Sequence, residues 1–90
     1  LLLSFVSPHA KAGVFDFVEL NKAKKAYEEG KYKEAETLYK KYAKDTNNAQ
    51  SYHNMGNALY KQEKYKEALK AYSKANFTNN ELKAKTLANM

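Results

Sequence analysis

Cysteine, arginine, isoleucine and tryptophan are all missing from the chain, and proline occurs once. The lack of cysteine excludes a disulfide framework, a thiolate metal site and a cysteine nucleophile, and leaves the compartment open. The lack of arginine removes the side chain that forks onto phosphate and reads guanine. Without isoleucine and tryptophan, the interior has to be built from tyrosine, which occurs eight times, and from leucine and alanine. One proline and three glycines leave few chain breakers, which favours helices over hairpins of strand.

What is present is a single small domain's worth of sequence, 90 residues with a formal charge of +6. All sixteen basic residues are lysine, scattered among ten acids without forming a block. Lysine, asparagine and tyrosine all come from AT-rich codons, so genome composition accounts for this bias without a nucleic-acid surface.

The first dozen residues, L-L-L-S-F-V-S-P-H-A-K-A, differ from everything after them. Leu1 to Val6 is apolar, Pro8 interrupts it, and Ala10-Lys11-Ala12 has the small-x-small form of a signal-peptidase site. The run is too short to span a membrane. Residues 1–12 are therefore expected to be the tail of a signal peptide, the end of a transmembrane helix or an ordered N-terminal arm. The first two imply an exported, periplasmic or membrane-anchored protein with a tether upstream of Leu1.

Beyond them the chain repeats. An offset that carries Ala35 onto Ala68 also superimposes Asn21 on Asn54, Tyr27 on Tyr60, Tyr32 on Tyr65 and Tyr39 on Tyr72. Such a period marks a repeat architecture. Each copy reads as two helices. In the second copy Tyr52, Met55, Gly56 and Leu59 share one face, and Tyr65, Ala68, Leu69, Tyr72 and Ala75 form another stripe. A polar turn near Lys61 to Lys64 separates them, and Gly30 is suited to end the corresponding helix of the first copy. Gly56 and Ala68 are small enough to let the two helices approach. Thr78-Asn-Asn-Glu81 has the form of a capping box with Phe77 as a staple before it, so a third copy is expected to start there. Its apolar positions would be Leu82, Ala84, Leu87 and Met90, on a helix without a partner.

These residues resemble the tetratricopeptide repeat, through Tyr52, Met55-Gly56, Leu59, Ala68 and Tyr72 in the second unit and Tyr32, Ala35 and Tyr39 in the first. Asn80 stands where the pattern usually carries proline, and in the first unit Ala23 replaces the glycine while Glu19 and Lys22 occupy apolar places. Phe17, Leu20, Ala23 and Tyr27 instead form a stripe turned partly towards the groove side, which the Leu1 to Val6 arm, a partner chain or a ligand would cover. The resemblance implies an all-α fold of antiparallel helix-turn-helix repeats in a right-handed superhelix, roughly two and a half repeats long. The units would be 13–48, 49–82 and a truncated first helix over 83–90. A fainter likeness is to exported or membrane-anchored bacterial tetratricopeptide proteins of aerotolerance operons.

No catalytic or cofactor constellation is visible. His9 and His53 have no second ligand at helical spacing, no glycine-rich phosphate loop occurs, and the serines have no recognisable base. The expected function is a non-catalytic scaffold that binds a peptide or protein segment in the concave groove. The groove residues would be Lys24 and Tyr27 from the first unit and Gln50, His53, Asn57, Tyr60 and Lys61 from the second, with asparagine holding backbone groups, lysine meeting a carboxylate and tyrosine supplying area. The resemblance also suggests a carboxylate clamp at Asn57 and Asn89, although His53 replaces its lysine and these asparagines could equally bond a neighbouring repeat. Two other readings stay open: self-assembly of copies through the unpaired C-terminal helix, and sequence-independent RNA binding through lysine and stacked tyrosine.

Overall fold

The computed structural model describes residues 14–88, with the side chains of residues 17–85. The expectations placed on Leu1–Ala12, Asn89 and Met90 lie outside the described residues. Four helices follow one another: α1 (Val14–Glu28), α2 (Tyr32–Thr46), α3 (Ala49–Lys61) and α4 (Tyr65–Ala88). Each packs against its neighbours in the chain, so α1 and α2 form one hairpin and α3 and α4 a second. No described helix is long and apolar enough to cross a membrane.

The expected turns are where the sequence puts them, and the two hairpin turns share one geometry. At the end of α1 Gly30 is left-handed (φ 79°), its N–H donates to the Tyr27 carbonyl and the Lys31 N–H donates to Ala26. At the end of α3 the same pair of bonds runs from Glu63 to Tyr60 and from Lys64 to Leu59. This is the Schellman closure, which consumes otherwise orphaned carbonyls. Glu63 adopts it at φ 64° although it carries a Cβ. Between the hairpins, Asn47 ends α2 in the left-handed region (φ 51°) and Asn48 caps α3 by accepting the Ser51 N–H at 2.8 Å.

The core is mostly alanine. Among the described residues the buried apolar side chains are Tyr39, Tyr52, Leu59 and otherwise alanines, including Ala35 and Ala68. Small side chains bury little area each, but they let helices come close enough for backbone and ring to touch. Ala23, Ala26, Ala35, Tyr39 and Ala58 form one cluster, so α3 packs on the first hairpin through Ala58. Ala43, Tyr52 and Ala75 form a second cluster, and Leu59, Ala68 and Ala71 a third. Met55 is half-buried and packs against all three. A polar strap reinforces the junction: the Gln62 amide, at the end of α3, donates to the carbonyls of Tyr32 and Ala58 and to the Glu36 carboxylate at 3.0 Å.

Three local expectations need correction. Thr78-Asn-Asn-Glu81 does not open a helix, because α4 runs through it without a break. Asn80 is compatible with helix where proline would not be, and Leu82 to Lys85 are good helix formers, so nothing in the segment stops propagation. The boundary expected at residue 82 therefore falls inside α4, and Phe77 lies exposed beneath the Lys74 ammonium instead of stapling a cap. The stripe on α4 is narrower than its sequence suggests: Ala68 and Ala75 are buried, whereas Tyr65 and Leu69 face outwards. Gly56 has the Tyr72 ring as its nearest neighbour, and a Cβ placed on it would lie 2.6 Å from two of the ring carbons. Finally, the α1 stripe does not stay together, since Ala23 is wholly buried, Leu20 and Tyr27 pack on the core and Phe17 is exposed.

Two stability changes are expected. Glu63→Gly should raise the unfolding free energy by about 1 kcal/mol, because glycine tolerates the left-handed turn, and Gly30→Ala should lower it by a similar amount although its site has room for a Cβ. Urea unfolding of both variants measures this, and a neutral Glu63→Gly would refute the strain. Gly56→Ala should cost about 1–3 kcal/mol through overpacking, despite its better helix propensity. Thermal unfolding checks it, with a gain in stability as the contrary result.

Candidate functional site: the polar face of α3

The second hairpin presents a continuous stripe on α3. Gln50, His53, Tyr60 and Lys61 are exposed and Asn57 is half-buried between them, on the side away from Tyr52, Gly56 and Leu59. Helical spacing produces this division of faces, and the burial of the second set fixes the first towards solvent. From the other hairpin, Lys24 is exposed on α1, whereas Tyr27 is half-buried and packs partly on the core.

The stripe is held from beneath by α4. The Tyr72 hydroxyl donates to Asn57 Oδ1 at 2.6 Å, and the Tyr72 ring lies 5.0 Å from the His53 ring. Because Asn57 accepts through its oxygen, its NH₂ is the group left to point at a ligand. Sequence reasoning assigned Tyr72 to the core alone. Its ring does fill the space that Gly56 leaves, but its hydroxyl reaches the polar face, and only the packed hairpin brings residues 57 and 72 together. Gln50 is steadied by donating to Asn54 Oδ1 at 3.2 Å. Beside it an open cleft of about 390 Å³ is lined by Ala49, Gln50, His53, Ala75, Asn76 and Asn79, of which the residues from α4 were not foreseen.

At the other end of the stripe the aromatic side chains are paired. Tyr60 meets Tyr65 edge to face at 5.2 Å, as Tyr27 meets Tyr32 at 5.3 Å, and Lys61 Nζ lies 6.0 Å above the Tyr32 ring. Burial pushes the Tyr72 phenol above the usual tyrosine pKa, and the neighbouring Tyr27 and Tyr60 add to it. Tyr39 is raised by burial, with Tyr27 and Glu28 adding. Tyr27 thus lies near the phenols of both hairpins. Among the described residues no group of three histidine, aspartate or glutamate side chains is placed to hold a metal ion.

Both shifted phenols bind their proton more tightly folded than unfolded. Their contribution to stability is present below about pH 10 and is lost as pH rises through the folded pKa. Tyr72→Phe should lower stability at neutral pH by about 1 kcal/mol through the lost hydrogen bond, and should also flatten the alkaline decline. Denaturation at pH 7 and pH 10.5 with native helicity tests both, and an unchanged alkaline decline would overturn the assignment.

Comparison with known proteins returned one match: the family model described as Tetratricopeptide repeat covers residues 49–75, the stretch that holds all of α3 and the first part of α4. Neither curated proteins nor solved structures gave a match. The matched residues place Tyr52, Met55, Gly56, Leu59, Ala68 and Tyr72 in the packed hairpin just described, and the preceding hairpin repeats its turn and tyrosine pair. Over residues 49–75 the chain is similar to the tetratricopeptide repeat.

Proposed function

We propose that the protein is a non-catalytic scaffold that binds an extended peptide or protein segment along the α3 face. Tetratricopeptide repeats serve in general as protein–protein interaction scaffolds, which supports a protein partner. The observation that carries the finer reading is the hydrogen bond from Tyr72 to Asn57, which fixes the asparagine amide in the middle of an exposed stripe. A rigid amide donor flanked by tyrosine rings and lysine suits the main-chain carbonyls of an extended segment and a carboxylate on it. Asn57 supplies the donor, Lys61 and Lys24 the charge, His53 and Tyr60 the contact area, and Gln50 a further amide at the open cleft. Each hairpin, α1 with α2 and α3 with α4, lends its first helix to the face.

The test is selection of extended peptides from a displayed library on the immobilised chain, followed by titration of the selected peptides in solution. Asn57→Ala and Lys61→Ala should each weaken binding about tenfold while leaving the circular dichroism spectrum unchanged. Peptides that bind both variants as tightly as the parent chain would place the binding face elsewhere.

A further inference from the structure

The core-facing side of α3 is not covered along its whole length. Between α2 and α4 a cleft of about 260 Å³ reaches down to it, where Tyr52, Met55 and Leu59 of α3 with Ala71 of α4 make an apolar floor. Charged side chains stand on both walls: Glu36 and Lys40 on α2, and Glu67, Lys70 and Lys74 on α4. An apolar floor with a few charged groups at its rim is the usual composition of a binding site.

The walls are polarised along the cleft. Glu36 meets Gln62 at the end of α3, whereas Ala75 packs with Tyr52 near its start. The two acids therefore lie towards Leu59, and Lys40, Lys70 and Lys74 follow one or two turns on, towards Tyr52. Glu36 is already engaged: its side chain is only 14% exposed, it accepts from Gln62 and it pairs with Lys33 at 3.6 Å. The lysines are not. Among the described residues Lys40 and Lys70 form no ion pair, and the Lys74 ammonium sits 5.7 Å from the centre of the Tyr52 ring and 5.8 Å from that of Phe77. A ring face holds an ammonium in place without neutralising it. Three uncompensated cations thus share the rim with one free carboxylate, Glu67.

We infer that this cleft, on the opposite side of α3 from the polar stripe, is a second docking site, for an acidic protein segment that inserts one large apolar side chain. The anchor lies on Met55, whose unbranched thioether adapts to its shape. Carboxylates beside the anchor meet Lys40 on one wall and Lys70 and Lys74 on the other. The cleft is smaller than the roughly 300–1,000 Å³ that encloses a whole small ligand, and suits a side chain whose backbone stays outside. Charge selects among occupants. The first thirteen residues of the chain contain no acid and a second copy carries a net +6, so neither complements the lysines.

The chain contains two methionines, Met55 and Met90, so ¹³C-methyl methionine labelling reports on the floor directly, with Met90→Leu to assign the signals. The full chain is titrated with the acetylated, amidated peptide Glu-Asp-Phe-Asp-Glu. The Met55 resonance is expected to move saturably, with affinity falling at least fivefold in Lys40→Glu and in Lys70→Glu, and by as much for the neutral peptide Gln-Asn-Phe-Asn-Gln and for Glu-Asp-Ser-Asp-Glu. Both lysines are exposed, so the variants should fold, and their helicity is checked alongside. Peptides selected for the α3 stripe should bind Lys70→Glu as they bind the parent chain, which keeps the two sites separately visible. An unmoved Met55 resonance, equal affinity for the neutral peptide, or unchanged affinity in both lysine variants would overturn the site. Octanoate binding more tightly than the acidic peptide would overturn the protein partner, because a small amphiphile would then be the occupant.

Discussion

Helices α3 and α4 can lie as close as they do because residue 56 has no side chain. The Tyr72 ring occupies the space where a Cβ would be, and its hydroxyl is tied to Asn57 on the next residue of α3. One ring therefore performs two tasks. Its body fills the contact between helices, and its polar end fixes the amide at the centre of the exposed face. In the first hairpin the equivalent positions are Ala23 and Tyr39, both buried in one cluster, so the methyl group is accommodated there. The glycine version leaves Tyr72 only half-buried and its hydroxyl in reach of the polar face. Tyr39 is also covered by Ala58 of α3, whereas Tyr72 packs on Leu59, Ala68 and Ala71 of its own hairpin and keeps its hydroxyl at the polar face.

The alanine-rich interior has the same logic on a larger scale. Alanine contributes little apolar area, so its value lies in the separation it permits and in its helix propensity. The larger side chains, Tyr39, Tyr52 and Leu59, fill what remains. Polar bonds then fix the register: Asn48 holds the start of α3, Gln62 straps its end to α2 and the Schellman closures set the hairpin turns. The exposed ion pairs Lys31–Glu29, Lys33–Glu36 and Lys41–Asp45 add little beside these, being open to solvent at one or both partners.

Much of this was legible in the sequence. The period exposed the two hairpins, Gly30 marked a turn, and Tyr52, Met55, Gly56 and Leu59 gave the inward face of α3. What failed did so for local physical reasons. A capping box is also a good helical sequence, and at Thr78–Glu81 no proline or glycine forces the issue, so α4 continues. Tyr65 and Leu69 satisfy helical spacing but turn to a side that no described helix covers, which periodicity within one helix does not reveal. Glu63 shows the reverse: its residue type conceals the left-handed turn, and the repeat alignment with Gly30 was the available clue. Tyr72 was placed in the core correctly by its ring and incompletely by its hydroxyl, because sequence spacing assigns one environment to a side chain that spans two. The polar face of α3 followed from periodicity, whereas the contribution of Asn76 and Asn79 depends on how α4 crosses it.

Met55 alters how the repeat boundary should be understood. It touches the cluster of the first hairpin, the cluster between the hairpins and the cluster inside the second. Along the chain, residues 47 and 48 divide the two units; in the interior no such division exists, because a single unbranched side chain belongs to all three clusters. The two hairpins are consequently not independent modules joined end to end. Loosening either one removes contacts from the same thioether, so disorder in one is transmitted to the other without passing through the backbone link between them.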